Sequence, residues 1–200
     1  MQIIVFGDSI AYGASDSEGG WVERLKEHLG GKAVIYNLSI PGESTETLLE
    51  RFETEASQRA DKNTVIIIAV GINDLQFIDQ MHDVLKILKH FKDNVSKLIR
   101  SANSLSTKVF FVGLTPLDEK KTNPISNDFE NPYINKYVKE YNQLIRIACV
   151  KKKARFIDVF DSFIKAKHEK LLEDGVHPNS DGHKLIFKLV KEALVKSKAI

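Results

Sequence analysis

Residues 64–74 read TVIIIAVGIND. From Val65 to Val70 every side chain is apolar, and none alternates with a polar partner. A strand with one wet face alternates, whereas a strand covered on both faces does not. Gly71 then breaks the run, and Ile72-Asn73-Asp74 follows as a turn by composition. We read a buried strand of a parallel sheet that ends in a turn carrying two polar side chains.

Working outward, four more runs have the same character: Gln2–Phe6, Ala33–Leu38, Lys108–Leu114 and Ala154–Val159. Stretches of helical period separate them. Trp21, Val22, Leu25 and Leu29 form one face, and Gly30-Gly31 stops it. Leu48, Leu49 and Phe52 mark a second face. Val84, Leu88, Phe91, Val95, Leu98, Ile99 and Ala102 recur at three and four. Ile134, Tyr137, Val138, Tyr141, Leu144, Ile145 and Ala148 form a fourth stripe, and Leu185, Ile186, Leu189, Val190 and Ala193 a fifth. Strand–helix alternation of this kind implies an α/β sandwich. No linker or internal repeat divides it, so residues 1–200 read as a single domain. The only long irregular segment is TPLDEKKTNPISNDFENP, residues 115–132, of a length that usually marks function or mobility.

The totals exclude several classes. A net charge of +2 over 200 residues, with the charges dispersed, gives no footprint for nucleic acid. The run Lys151-Lys152-Lys153 follows an apolar helix and reads as its solvated end. The single cysteine, Cys149, excludes an internal disulfide and reads as a buried thiol. The first strand starts at residue 2 or 3, and no apolar run reaches the length of a membrane span. We therefore expect a cytoplasmic protein that does not insert into membranes.

In open parallel sheets ligands bind beyond the carboxyl ends of the strands. The residues there are Gly7-Asp8-Ser9, Ser39-Ile40-Pro41-Gly42, Gly71-Ile72-Asn73-Asp74, the 115–132 loop, and Asp174-Gly175-Val176-His177-Pro178. A phosphate cradle would need G-x-x-x-x-G-K-[ST]; Gly7 to Gly13 is one residue too long and no lysine follows. A receiver-type phosphoacceptor would want paired acids after the first strand, and Asp8 stands alone. Asp174, His177, Asp181 and His183 crowd together, but they lack metal-site spacing. Ser180 as a helix cap, with Asp181 in the first turn, accounts for that end without a metal. We expect no metal and no cofactor.

Nucleophilic catalysis uses the strand-end residues more fully. A serine hydroxyl needs a base to take its proton. An imidazole suits the task, with a reference pKa of about 6.5, and a carboxylate holds it in one tautomer. Ser9, His177 and Asp174 supply those three groups. The backbone N–H of Ser9, the backbone N–H of Gly42 and the side-chain amide of Asn73 are candidate oxyanion donors. Singly, Gly42 also reads as a turn glycine and Asn73 as a turn residue bonding its own backbone. Asp8 and Asp74 are expected to accept backbone hydrogen bonds that fix their turns. His28, His82, His90 and His168 are expected at the surface or partly packed.

FGDSIAYG (6–13), NLSIPGES (37–44), GINDL (71–75) and DGVHPN (174–179) together resemble, in order and spacing, the four blocks of the SGNH hydrolases, also called GDSL esterases and lipases. The resemblance runs from residue 6 to about residue 183. It implies a three-layer α/β/α sandwich, flavodoxin-like, with a five-stranded parallel sheet of order 2-1-3-4-5. It implies Ser9 as nucleophile, His177 as base, Asp174 as its orienting acid, and Ser9, Gly42 and Asn73 as the oxyanion hole. Members of the family attack carboxylic esters, thioesters or acetylated sugars, so the substrate has to be read from the chain. Phe77, Ile78 and Leu117 are candidate substrate contacts, with core packing as their alternative. The expectation is a serine esterase that takes a small-molecule, short-chain acyl ester, acetylated sugars included. The alternatives are a thioesterase or lysophospholipase-type acyl hydrolase, or a non-catalytic ligand-binding module on the same fold.

Overall fold

The computed structural model describes residues 1–61, 63–76, 78, 83–122 and 133–200. Successive side chains of a strand point to opposite faces. In β1 (Gln2–Gly7), Ile4 and Phe6 enter one core and Ile3 and Val5 the other. In β3 (Val65–Ala69), Ile66 and Ile68 face the first core and Val65 and Ile67 the second. β4 (Lys108–Val112) divides Val109 and Phe111 from Phe110 and Val112 in the same way. Both faces need apolar residues, which is why the runs show no alternation. Burying one such side chain stabilises by roughly 1.5–3 kcal/mol, so the three central strands carry much of the core.

β2 (Val34–Asn37) and β5 (Arg155–Ile157) form the edges, and the sheet order is β2-β1-β3-β4-β5. Every strand pair is parallel, with Ile3 beside both Ile35 and Val65, and Ile66 beside Val109. The expected strand order and all five expected strands are present, each trimmed or extended at its ends by at most two residues.

Helices among the described residues include α1 (Ser9–Tyr12), α2 (Gly20–Leu29), α3 (Thr45–Ser57), α4 (Val84–Leu105), α5 (Glu119–Thr122), α6 (Asn135–Lys152), α7 (Phe160–Lys165) and α8 (Ser180–Lys196). Phe52 of α3, Phe91 and Leu98 of α4 and Tyr141 of α6 pack on the Ile4 face. Trp21 and Leu25 of α2, Phe163 of α7 and Ile186 and Val190 of α8 pack on the Ile3 face. Helices thus cover both sides of the sheet. Among the described residues no helix is long and apolar enough to cross a membrane.

Two local expectations are refined. The cap of α8 is Asn179, whose side chain accepts from Gly182 N at 3.1 Å. Ser180 is the first helical residue instead, and its hydroxyl accepts from Arg24 at 2.9 Å. The segment after β4 is not wholly irregular, because Glu119–Thr122 forms the helical turn α5; residues 123–132 lie outside the described residues. Two asparagines of α6 hold the chain leading into that turn. Asn142 bonds the N–H and C=O of Leu114 at 2.8 and 3.0 Å, and Asn135 does the same to Leu117, both at 2.9 Å. Cys149 is buried, and burial pushes its thiol up to about 12. It is a packing residue.

Candidate active site

The turn that carries Ser9 begins at Gly7. A Cβ there would lie 2.6 Å from both Ala69 O and the Ala11 side chain, so only glycine lets α1 fold back against β3. Asp8 caps α1, accepting from Ile10 N at 3.0 Å. Ser9 is the first helical residue, and its carbonyl accepts from Gly13 N and Ala14 N at 3.1 and 2.9 Å. Gly13 has φ +102°, and a Cβ on it would sit 2.4 Å from Gly19 O. Its role is the close crossing of two backbone segments.

Ser9 Oγ lies 2.8 Å from His177 Nε2. His177 Nδ1 lies 2.6 Å from Asp174 Oδ2. The second carboxylate oxygen, Oδ1, accepts from the backbone N–H groups of Val176 and His177 at 2.9 and 2.8 Å. One oxygen therefore builds the turn and the other orients the ring. An ionised carboxylate only accepts hydrogen bonds, so Nδ1 carries the ring proton and the Nε2 lone pair faces the hydroxyl. Partial burial pushes the Asp174 carboxyl up, but the N–H donors of His177 and Val176 outweigh this and hold it below its ordinary value.

The histidine turn rests on α5. A Cβ on Gly175, at φ +99°, would meet the Lys121 side chain at 2.8 Å. Asp118 N donates to Gly175 O at 2.9 Å, and Lys121 Nζ donates to Glu173 O at 2.7 Å. The start of the long segment after β4 thus buttresses the Asp174–His177 turn, a role that nothing in its composition reveals.

His183 is fully buried and donates from Nε2 to Ala14 O at 3.1 Å, which ties α8 to the loop after α1. Burial lowers its pKa. Asp181 lies in the first turn of α8. Among the described residues no group of three or more His, Cys, Asp or Glu could hold a metal ion. His28 and His90 lie at the surface and His168 is partly packed, while His82 lies outside the described residues.

The third and fourth turns are joined to each other. Asn73 Nδ2 donates to Glu43 O at 3.0 Å, which leaves its second amide hydrogen available. Gly42 is exposed at φ +83°. Within the described residues no hydrogen bond claims the N–H of Ser9 or of Gly42. Asp74 accepts from Thr45 N at 2.9 Å and from the Thr45 hydroxyl, and Asn94 donates to that hydroxyl at 3.3 Å. Asp8 and Asp74 therefore both accept backbone hydrogen bonds. Burial raises Asp8 to about 7 and Asp74 to about 6. Asp74 adds repulsion at Asp8.

The three candidate substrate contacts fare differently. Ile78 and Leu117 lie in the core, 5% and 0% exposed, so core packing describes both. Phe77 lies outside the described residues. Two exposed apolar residues near the motif turns are not among the sequence-based candidates. Tyr12, 58% exposed, lies three residues from Ser9 on α1, and Ile40, 48% exposed, lies two before Gly42. The i, i+3 spacing of Ser9 and Tyr12 was the available signal. A cavity of about 490 Å³ opens between α3, α4 and α6, bordered by Glu46, His90 and Tyr141, but neither Ser9, Gly42 nor His177 borders it.

A hydroxyl bonded to an imidazole whose far nitrogen is held by a carboxylate is the arrangement that lets the oxygen attack while the ring takes its proton. The chain matches the GDSL-like Lipase/Acylhydrolase family over residues 5–185. It is similar in fold to a member of the lipolytic protein G-D-S-L family from Veillonella parvula, at TM-score 0.77 and 23% identity, covering 98% of each chain. A lipase/acylhydrolase from Enterococcus faecalis aligns at TM-score 0.76 and 20% identity, over 96% of this chain and 94% of that one. Axe2, an acetylxylan esterase from Geobacillus stearothermophilus, aligns at TM-score 0.76 and 15% identity, over 96% and 92%. With the match spanning all four strand-end turns, the chain belongs to the GDSL-like lipase/acylhydrolase family.

Proposed function

We propose that this protein is a serine esterase that hydrolyses short-chain carboxylic esters, acetylated sugars included, through an acyl-enzyme. Ser9 Oγ attacks the acyl carbon while His177 Nε2 takes its proton. Asp174 stabilises the imidazolium that forms. The N–H groups of Ser9 and Gly42 and the amide of Asn73 receive the negative oxygen of the tetrahedral intermediate. His177 then returns the proton to the leaving alcohol. Water attacks the acyl-serine by the same route and regenerates Ser9.

The observation that carries this reading is the 2.8 Å contact of Ser9 Oγ with His177 Nε2, continued at 2.6 Å to Asp174. The substrate class is supported by exposure. Asp174 is 52% exposed at its side chain, and the apolar surface near the turns comes from Tyr12 and Ile40 at the protein exterior. An open site of this kind suits a small acyl group on a large alcohol. The acetylxylan esterase among the structural neighbours acts on such a substrate.

Hydrolysis of p-nitrophenyl acetate by wild type and Ser9→Ala tests the nucleophile. Loss of activity in the variant, with organophosphonate labelling of Ser9 in the wild type, is the expected result; equal rates would refute it. A panel of acetyl to octanoyl esters, acetylated sugars and acyl thioesters tests the substrate class. A maximum at octanoyl esters or at thioesters would overturn the short-ester reading.

A further inference from the structure

The loop that presents Gly42 is tied down at Ile40, whose N–H donates to Gly7 O at 2.9 Å, but its tip is bare. Ile40, Pro41 and Gly42 are all exposed, and nothing lies within 4 Å of where a Gly42 Cβ would be. Yet an oxyanion donor must stay within a few tenths of an ångström of its position. Arg51, two turns into α3, reaches both ends of this loop. Its guanidinium donates to Leu38 O at 2.6 Å, just after β2. It also grips the carboxylate of Glu43, at 2.8 Å from Nε to Oε1 and by a second bond from the terminal nitrogen to Oε2. The Glu43 side chain is only 4% exposed and that of Arg51 18%, so the carboxylate is buried under a guanidinium that water still reaches. Glu55 supports the guanidinium from the next turn at 3.1 Å, and the Phe6 ring lies 5.6 Å beneath it.

Glu43 is itself placed between two donors. Its N–H belongs to the turn closed on Ile40 O at 3.1 Å, immediately after Gly42, and its C=O accepts the Asn73 amide at 3.0 Å. We propose that the Glu43–Arg51 pair is a positioning unit for the oxyanion hole, fixing the Gly42 N–H and the Asn73 amide as one body. This rests on the esterase reading above. The bidentate fork matters, because a planar guanidinium sets the direction of a carboxylate as an ammonium does not.

Removing one partner alone would strand a buried charge and endanger the fold. The test therefore centres on the neutral pair Glu43→Gln/Arg51→Met, with Arg51→Lys as the conservative variant. For p-nitrophenyl acetate the neutral pair should lower kcat by about 10–100-fold, less than the ~10²–10³-fold cost of losing one oxyanion donor outright because both donors remain but are loosened, with KM little changed. Arg51→Lys should recover part of that loss. The penalty should shrink severalfold in an Asn73→Ala background, because both changes act on one unit. A folded neutral pair with wild-type kcat, or a fully additive cycle with Asn73→Ala, would overturn the proposal. A second readout does not depend on turnover. The Asn73 side-chain amide signals in a 15N–1H spectrum report its bond to Glu43 O and should shift and exchange faster in the neutral pair. Unchanged signals would overturn the positioning role. Absence of Ser9-dependent hydrolysis in the wild type would instead refute the esterase reading, and the amide signals would still decide the clamp.

Discussion

Asp8 is a buried acid directly before the proposed nucleophile, and its cost can be measured. It is 2% exposed, and burial raises it from 3.8 to about 7. Between those values the folded chain binds a proton that the unfolded chain has released. Stability contributed through this group therefore falls as pH rises from about 4 to about 7, and is level above that. A difference of about 3 pKa units at 1.36 kcal/mol each amounts to about 4 kcal/mol lost by neutral pH. Asp8→Asn removes this titration and keeps the cap, since an amide oxygen can also accept from Ile10 N. Urea unfolding of both proteins from pH 4.5 to pH 8.5 gives the measurement. The stability of Asp8→Asn relative to wild type should climb by about 3 kcal/mol across the range, about 1 kcal/mol of the total being lost already below pH 4.5. Asp74, raised to about 6, is present in both proteins and largely drops out of the difference. A difference that stays flat within about 1 kcal/mol would refute the raised carboxyl and the reasoning from burial.

Two further perturbations probe the site and its frame. Asp174→Asn should lower kcat by about 10⁴, because an amide that still accepts from Val176 N and His177 N turns its NH₂ toward Nδ1 and forces the wrong tautomer; a loss under tenfold on p-nitrophenyl acetate would count against the orienting role. Gly13→Ala should destabilise by roughly 1–3 kcal/mol, since φ is +102° and the new Cβ would lie 2.4 Å from Gly19 O; an unchanged melting temperature would mean that the Gly19 segment gives way freely.

The strands were legible because a doubly covered strand must be apolar at every position, and the runs around Val65–Ala69 and Gln2–Gly7 have that pattern. Their order came from the resemblance, since periodicity carries no neighbour information. The pairing of Ser9 with His177 and of His177 with Asp174 was foreseeable from residue types, and the second task of Asp174, whose Oδ1 closes the turn on the N–H groups of Val176 and His177, was not. Ile78 and Leu117 illustrate the limit of composition: it marks them apolar without saying whether they face the core or the cleft. Asn179 displaced Ser180 as the cap of α8 because both types can cap and Arg24 engages the serine. The pairing of Glu43 with Arg51 was hidden for a different reason. A loop acid and a helix arginine eight residues apart meet only once the turn between them is built.

The bond between Ser9 and His177 spans 168 positions of the chain. A ribosome delivers the hydroxyl 168 residues before the imidazole it meets. Domains fold as units during synthesis, so Ser9 stays unpaired with His177 until the Asp174–His177 turn has docked. The same separation applies in the mature protein. An opening confined to the Asp174–His177 turn and α8 would break the proton path while the three central strands stay paired. The sheet and the chemistry can thus be lost at different temperatures, with activity going first.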